Sequence, residues 1–206
     1  MNPIKRNYQL ESDEIINGLK EGERPSLLLH ACCAPCSSYC VEYLSKYFDI
    51  TLYFYNPNMD SENEYEKRFK EFEKIVERFK GVKVVHTMYD ASEYYDKIKG
   101  YEECKEGGER CMICYRLRLE NSMNYAIENN FDYFASTLSI SPYKNAEKLN
   151  TIGEEIAKDK NVKYLVNDFK KRGGYKRSTE LSAEMGLYRQ NFCGCIYSKQ
   201  ERENKE

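Results

Sequence analysis

Runs of strand length alternate with runs of helical spacing along most of this chain, and that alternation restricts the fold more than any other feature. Apolar, β-branched or aromatic runs occur at SLLLHA (26–31), ITLYFYN (50–56), KVVHTMY (83–89), FDYFAST (131–137) and VKYLVND (162–168). Segments with helical periodicity fill the gaps at 37–47, 62–80, 111–130 and 143–158, with another near 178–186. Parallel neighbours in a sheet need a crossover long enough to hold a helix, so the pattern predicts an α/β domain with a parallel, Rossmann-like sheet. The boundaries expected are an extension at 1–25, one α/β domain at 26–198 and a charged, fraying tail at 199–206.

The helix at 62–80 is the clearest. Tyr65, Phe69, Phe72, Ile75, Val76 and Phe79 form one apolar stripe, and Ser61 with Glu64 suggests a capping box at its start. Ser141 and Pro142 similarly read as the cap and first turn of the helix at 143–158. There is no internal repeat and no low-complexity linker.

At 206 residues the chain suits a single core. No window approaches the roughly 18 apolar residues of a membrane span. The segment MNPIKRNYQLESDEII has no apolar stretch typical of a secretory signal, so a cytoplasmic protein is expected, with no membrane partner. The net charge of −2 argues against a generic nucleic-acid coat, although basic residues cluster in RLRLE (116–120) and KKRGGYKR (170–177).

Nine cysteines fall in three bunches: 32, 33, 36 and 40; 104, 111 and 114; 193 and 195. In a reducing compartment such thiols are metal ligands, catalytic groups or buried small hydrophobes, and an odd number fits a disulfide scaffold poorly. The first bunch, HACCAPCSSYC, follows the first predicted strand, and ligands of open parallel sheets bind at the carboxyl ends of strands. Neighbouring residues within a strand point to opposite faces, so Cys32 and Cys33 can serve one site only where the strand has ended, as Pro35 implies. Cys36 falls near a helix start, where the dipole favours a thiolate. Cys40, one turn further on, reads as an inert packing group, and Cys104 receives no role. Cys111 and Cys114 form a C-x-x-C that can grip zinc or two irons of a cluster, and spacing does not choose between the metals. Gly194, between Cys193 and Cys195, permits the turn needed for a small, reducible disulfide ring; a metal pair or inert thiols are the alternatives.

HACCAPCSSY, YFYNPNMDSENEYEKR, RCMICYRLRLE, FDYFASTLSISPYKN, DFKKRGGY and GLYRQNFCGCIYS occur in that order. In this combination the chain closely resembles the QueH family of epoxyqueuosine reductases, over about residues 26–198. The resemblance implies an adenine nucleotide alpha hydrolase-like (HUP-like) core with metal-binding loops at the strand ends. It implies a cobalamin-independent oxidoreductase that converts epoxyqueuosine to queuosine at the wobble position of transfer RNA, the last step of queuosine biosynthesis. The cofactor implied is a [4Fe–4S] cluster on Cys32, Cys33, Cys111 and Cys114, with an additional mononuclear iron beside it; the redox pair implied is Cys193 with Cys195. The family's NPN-x-H-P is altered here, with Asp60 and Ser61 in place of His and Pro.

Deoxygenation of an epoxide to an alkene consumes two electrons and two protons and releases water. One cluster passes single electrons, so a second iron or a dithiol is chemically useful. Cys36, with Asp60, is expected within reach of the extra metal, and Tyr188 is the proton donor nominated by its position before the C-G-C turn. His30 and His86 lie in strand patterns and are expected in the core. Lys144, Lys170, Lys171, Arg172, Arg177 and Arg189 are expected to meet anticodon-loop phosphates, and exposed tyrosines to stack an extruded base. The electron donor stays unknown. The competing readings are an iron–sulfur transfer-RNA thiolase of the same fold, disfavoured because ACCAPCSS lacks a glycine-rich phosphate loop, and a zinc-stabilised nucleic-acid-binding module.

Overall fold

A computed structural model describes residues 6–204; positions 1–5 of the expected extension and 205–206 of the expected tail lie outside the described residues. Strands β1 (Ser26–His30), β2 (Asp49–Phe54), β3 (Lys83–His86), β4 (Tyr133–Ser136) and β5 (Lys163–Tyr164) all pair in parallel, in the order β3-β2-β1-β4-β5. The helices are α1 (Tyr8–Asn17), α2 (Ala34–Leu44), α3 (Glu62–Lys70), α4 (Phe72–Arg78), α5 (Ser92–Lys97), α6 (Glu109–Glu128), α7 (Ala146–Ala157), α8 (Gly174–Glu184) and α9 (Ile196–Glu203).

Strand β1 is central, and its continuous apolar run is what a strand covered on both faces requires. Leu27 and Leu29 join one core cluster with Val41 and Leu44 of α2 and Phe72 and Ile75 of α4. Leu28 points the other way, into a cluster with Leu119 and Met123 of α6 and Leu149 and Ile152 of α7. The sheet is thus sandwiched between two helical layers, and the end of its best-protected strand opens onto the thiol-bearing turn. Among the described residues, no helix is long and apolar enough to cross a membrane.

Several elements differ from expectation. Within the expected extension, α1 buries Tyr8 and Ile16, and Ile16 belongs to the main core. Within the expected fraying tail, α9 runs to Glu203, and Glu201 accepts a bond from the Glu106 backbone N–H at 2.8 Å. The long helix divides at Glu71, whose carboxylate accepts from Lys74 Nζ and from the Tyr188 backbone N–H. Ser61 caps α3 by accepting from the Glu64 N–H, while the Glu64 carboxylate turns to Arg68 at 2.6 Å and does not close the box. The cap of α7 is Asn145, not Ser141. Residues Ser141 to Lys144 form a turn closed by the Lys144 N–H on the Ser141 carbonyl, with Pro142 at its second position. His86 is not a core residue: β3 is an edge strand, and the imidazole stacks on Phe69 at 3.6 Å and meets Glu66 at 3.0 Å on the open side.

Candidate functional site

Strand β1 stops after His30, and Cys33 caps α2 in an extended conformation with Pro35 in the first turn. The stop turns neighbouring thiols toward one place. Cys32 and Cys33 sulfurs lie 3.7 Å apart, and the sulfurs of Cys32, Cys33 and Cys36 all lie within 4.8 Å of one another. Cys40 stays outside this group; it is fully buried and its thiol donates to the Cys36 carbonyl at 3.3 Å, as a packing residue does.

His30 is held beneath the thiols. The Nε2–H donates to the Tyr55 carbonyl at 3.0 Å, which leaves Nδ1 of the neutral ring to accept from the Ser136 hydroxyl at 2.9 Å. Burial, with Arg118 nearby, lowers the His30 pKa to about 3, so the ring is a neutral structural bridge.

Two adjoining hollows meet at the thiols. The outer one is a cleft of about 110 Å³, with Cys32, Cys36 and Cys193 on its walls beside Lys144, Arg189, Phe192 and Glu106. The inner one is lined by Cys111, Cys114, Cys193 and Cys195, with Asn58, Arg110, Arg118 and again Glu106. Cys193 therefore belongs to both. Cys111 and Cys114 sit in the first turns of α6 at i and i+3, hence on one face, and Cys111 packs against the cluster containing Cys32 and Cys33. Among the described residues, the thiols whose sulfurs all lie within 4.8 Å of one another are Cys32, Cys33 and Cys36, and Cys111 and Cys114 line the inner hollow.

A few backbone and side-chain bonds hold the C-G-C turn. The Cys193 N–H donates to Ser198 Oγ at 2.8 Å, its carbonyl accepts from Arg68 at 3.2 Å, and Cys195 Sγ accepts from the Ser198 N–H at 3.4 Å. Gly194 adopts φ +121° and places its carbonyl on the Asp60 N–H at 2.9 Å; a Cβ there would meet Met59 Sδ at 2.6 Å. Cys193 and Cys195 are free thiols.

The thiols differ in acidity. Bonds from Cys33 and Cys36 hold Cys32 well below the ordinary thiol range, and Lys144 and Arg118 act in the same direction. The same sharing pushes Cys33 up to about 12 and Cys36 upward, while burial raises Cys114 to about 11 and Cys195 to about 12. Metal binding would have to displace those protons.

The remaining nominated residues divide by position. Lys144 and Arg189 line the cleft. Asp60 lies in neither hollow, its carboxylate paired with Lys199 at 2.8 Å. The Tyr188 ring lies under Lys67 Nζ at 3.6 Å, also outside the cleft lining, although residues 189–193 line it. Lys170 is bonded to Asp168 and the Ser139 carbonyl, Arg172 to Asp13, and Arg177 to Glu42 and Glu184; none lines the cleft. Lys171 is exposed and also outside it.

Residues that the sequence reading passed over complete the site. Tyr143 and Tyr175 stand at the cleft with exposures of 64% and 40%, each with a guanidinium over its ring, Arg202 at 4.9 Å and Arg189 at 6.0 Å. Asn58 is buried with both amide atoms unpartnered, and Arg118 keeps one unpartnered nitrogen. Orphaned donors beside a hollow rimmed with thiols fit an anionic, sulfur-ligated metal group, which would accept hydrogen bonds and balance the arginine. Asn58 sits in NPN and Arg118 in RLRLE, but nothing in either motif marks it as buried.

A family model described as "Epoxyqueuosine reductase QueH" matches residues 27–201. The epoxyqueuosine reductase QueH of Streptococcus pyogenes serotype M1 is 41% identical, over 96% of this chain and 80% of its own length. That of Staphylococcus epidermidis is 40% identical, over 94% and 86%, and that of Thermotoga maritima 36% identical, over 87% and 93%. Among solved structures, the U34-tRNA thiolase NcsA from Methanococcus maripaludis with its [4Fe-4S] cluster aligns with a TM-score of 0.56 at 13% identity, over 96% of this chain and 70% of its own. That likeness shows a shared fold. With its sulfur-lined strand end and a match spanning nearly all of the α/β domain, the chain belongs to the QueH family of epoxyqueuosine reductases.

Proposed function

We propose that this chain reduces epoxyqueuosine to queuosine at the wobble position of transfer RNA, without cobalamin. The observation that carries the reading is the convergence of thiols from three remote segments on two adjoining hollows at the end of β1. Cys32, Cys33, Cys111 and Cys114 would hold a [4Fe–4S] cluster, which would supply single electrons, and Cys36 would hold an additional iron, which would supply a Lewis acid.

The protein's own groups supply the rest. Cys193 reaches both hollows, and with Cys195 it makes a dithiol whose closure to a disulfide releases two electrons and two protons. Those are the equivalents the reaction consumes: the two epoxide C–O bonds break, a C=C bond forms, and the oxygen leaves as water. Tyr143 and Tyr175 offer faces for an unstacked base, and Arg189 and Arg202 favour a phosphate nearby. A proton donor to the departing oxygen is to be sought among the cleft-lining groups, since Tyr188 and Asp60 line neither hollow.

The decisive measurement is mass spectrometry of epoxyqueuosine-containing transfer RNA after incubation with anaerobically reconstituted protein and reductant. Loss of one oxygen mass is expected. An intact epoxide in the presence of a fully loaded cluster would overturn the proposal. Colour separates the zinc alternative, because a zinc protein is colourless and a [4Fe–4S] protein brown.

A further inference from the structure

Arg118 and Lys144 are buried cations, 1% and 9% exposed. Among the described residues, neither meets an Asp or Glu oxygen within 4.0 Å, the distance within which the other ion pairs of the fold are made. A buried charge without a counter-charge is strongly unfavourable, so two of them lining the adjoining hollows imply an anionic group at the thiols.

Their contacts indicate where that anion lies. Arg118 Nη1 donates to Asn56 Oδ1 at 3.3 Å, and the Asn56 amide donates to the carbonyl of Ala31, the residue before Cys32, at 2.9 Å. Arg118 Nε donates to the carbonyl of Cys114 at 3.4 Å, and Nη2 is left free in the inner hollow. The guanidinium is thereby tied to both thiol-bearing segments at once. Lys144, delivered by the Ser141–Lys144 turn, places Nζ 3.2 Å from Cys193 Sγ on the cleft side.

We propose that Arg118 and Lys144 are the counter-cations of the sulfur centre, positioning residues that raise its reduction potential, and that Lys144 does not bind RNA phosphate. The inference rests on the iron–sulfur reading above and goes beyond it. Reduction of a cluster adds one negative charge, and a fixed cation in a medium of low dielectric favours the reduced form. Arg118, braced by Asn56, is expected to act more strongly than the flexible Lys144.

The test uses the full-length, anaerobically reconstituted protein and its Arg118→Met, Arg118→Lys, Lys144→Met and Lys144→Arg variants. Midpoint potentials are read by an EPR-monitored redox titration, and affinity for an unmodified anticodon stem-loop is read against salt concentration. Both Met variants should titrate at lower potential than the wild type, Arg118→Met furthest, with Lys144→Arg close to the wild type. The RNA salt dependence of Lys144→Met should be unchanged.

Unaltered midpoints in loaded Arg118→Met and Lys144→Met would overturn the proposal. So would a Lys144→Met variant whose only change is a shallower RNA salt dependence. If Arg118→Met fails to fold or to load, Lys144→Met and Arg118→Lys decide, because the former alone should lower the potential and the latter should largely keep it. A wild type with no reducible cluster would overturn this inference together with the iron–sulfur reading. A lowered potential in protein that leaves the epoxide intact would support the inference and overturn only the assigned reaction.

Discussion

Two sets of basic residues in this molecule look alike in sequence and have opposite circumstances. Arg172 and Arg177 lie at the surface, the first on Asp13 and the second on Glu42 and Glu184. Arg118 and Lys144 lie inside, with sulfur atoms and amide groups as neighbours and, among the described residues, no carboxylate oxygen within 4.0 Å. A cation held by carboxylates is already neutralised and has little left for a ligand. A cation buried without one is unfinished until something anionic arrives. The useful question about a basic residue is therefore which negative charge answers it.

The largest effect that could break this contrast is metal removal. Chelating the iron from loaded protein leaves both interior cations only the acidic Cys32 thiol as counter-charge, and urea unfolding should record a loss of up to about 3–5 kcal/mol, the cost of removing one partner from a buried ion pair. The same experiment on Arg118→Met sharpens the point: its metal-free form should be at least as stable as metal-free wild type, because an apolar side chain replaces an unanswered charge. A metal-free variant much weaker than metal-free wild type would mean that Arg118 is satisfied without the cofactor.

A smaller effect comes from His30, which burial and Arg118 keep neutral with its pKa lowered to about 3. The unfolded chain protonates near pH 6.5 and the folded one does not, so stability falls as pH drops from about 6.5 toward 3, by at most ~1.4 kcal/mol per unit from this residue. Replacement by Gln, read by urea titration at several pH values, should flatten that decline; an unchanged slope would show that the ring titrates freely in the fold. The smallest effect is at the surface. Arg172→Ala should change stability by at most ~1 kcal/mol, with the difference shrinking in high salt.

Much of the fold was legible because hydrophobic periodicity encodes it directly: SLLLHA has the length and composition of a strand, and the stripe from Tyr65 to Phe79 the spacing of a packed helical segment. The thiol-bearing turn was legible because Pro35 ends the strand where the cysteines begin. What escaped depends on contacts distant in sequence. Lys144 reads as a phosphate-binding surface residue until a turn folds it onto Cys193. Tyr188 stands near Cys193 in sequence, yet its ring is drawn to Lys67 on α3. His86 looked interior because alternation marks a face of the strand without revealing that the strand is at the sheet's edge. Helix α1 and the last turns of α9 were missed because their charged faces hide a few buried anchors.

The position of the C-G-C turn has one more consequence. The floor of the cleft hangs from the central strand, whose amides should exchange with deuterium only when the whole sheet opens, whereas the wall at 188–195 is irregular chain held by a handful of bonds to Arg68, Asp60 and Ser198. Loosening those few ties would unroof the thiols to a bulky nucleic acid while leaving their scaffold assembled. Access and integrity would then rest on separate parts of the chain.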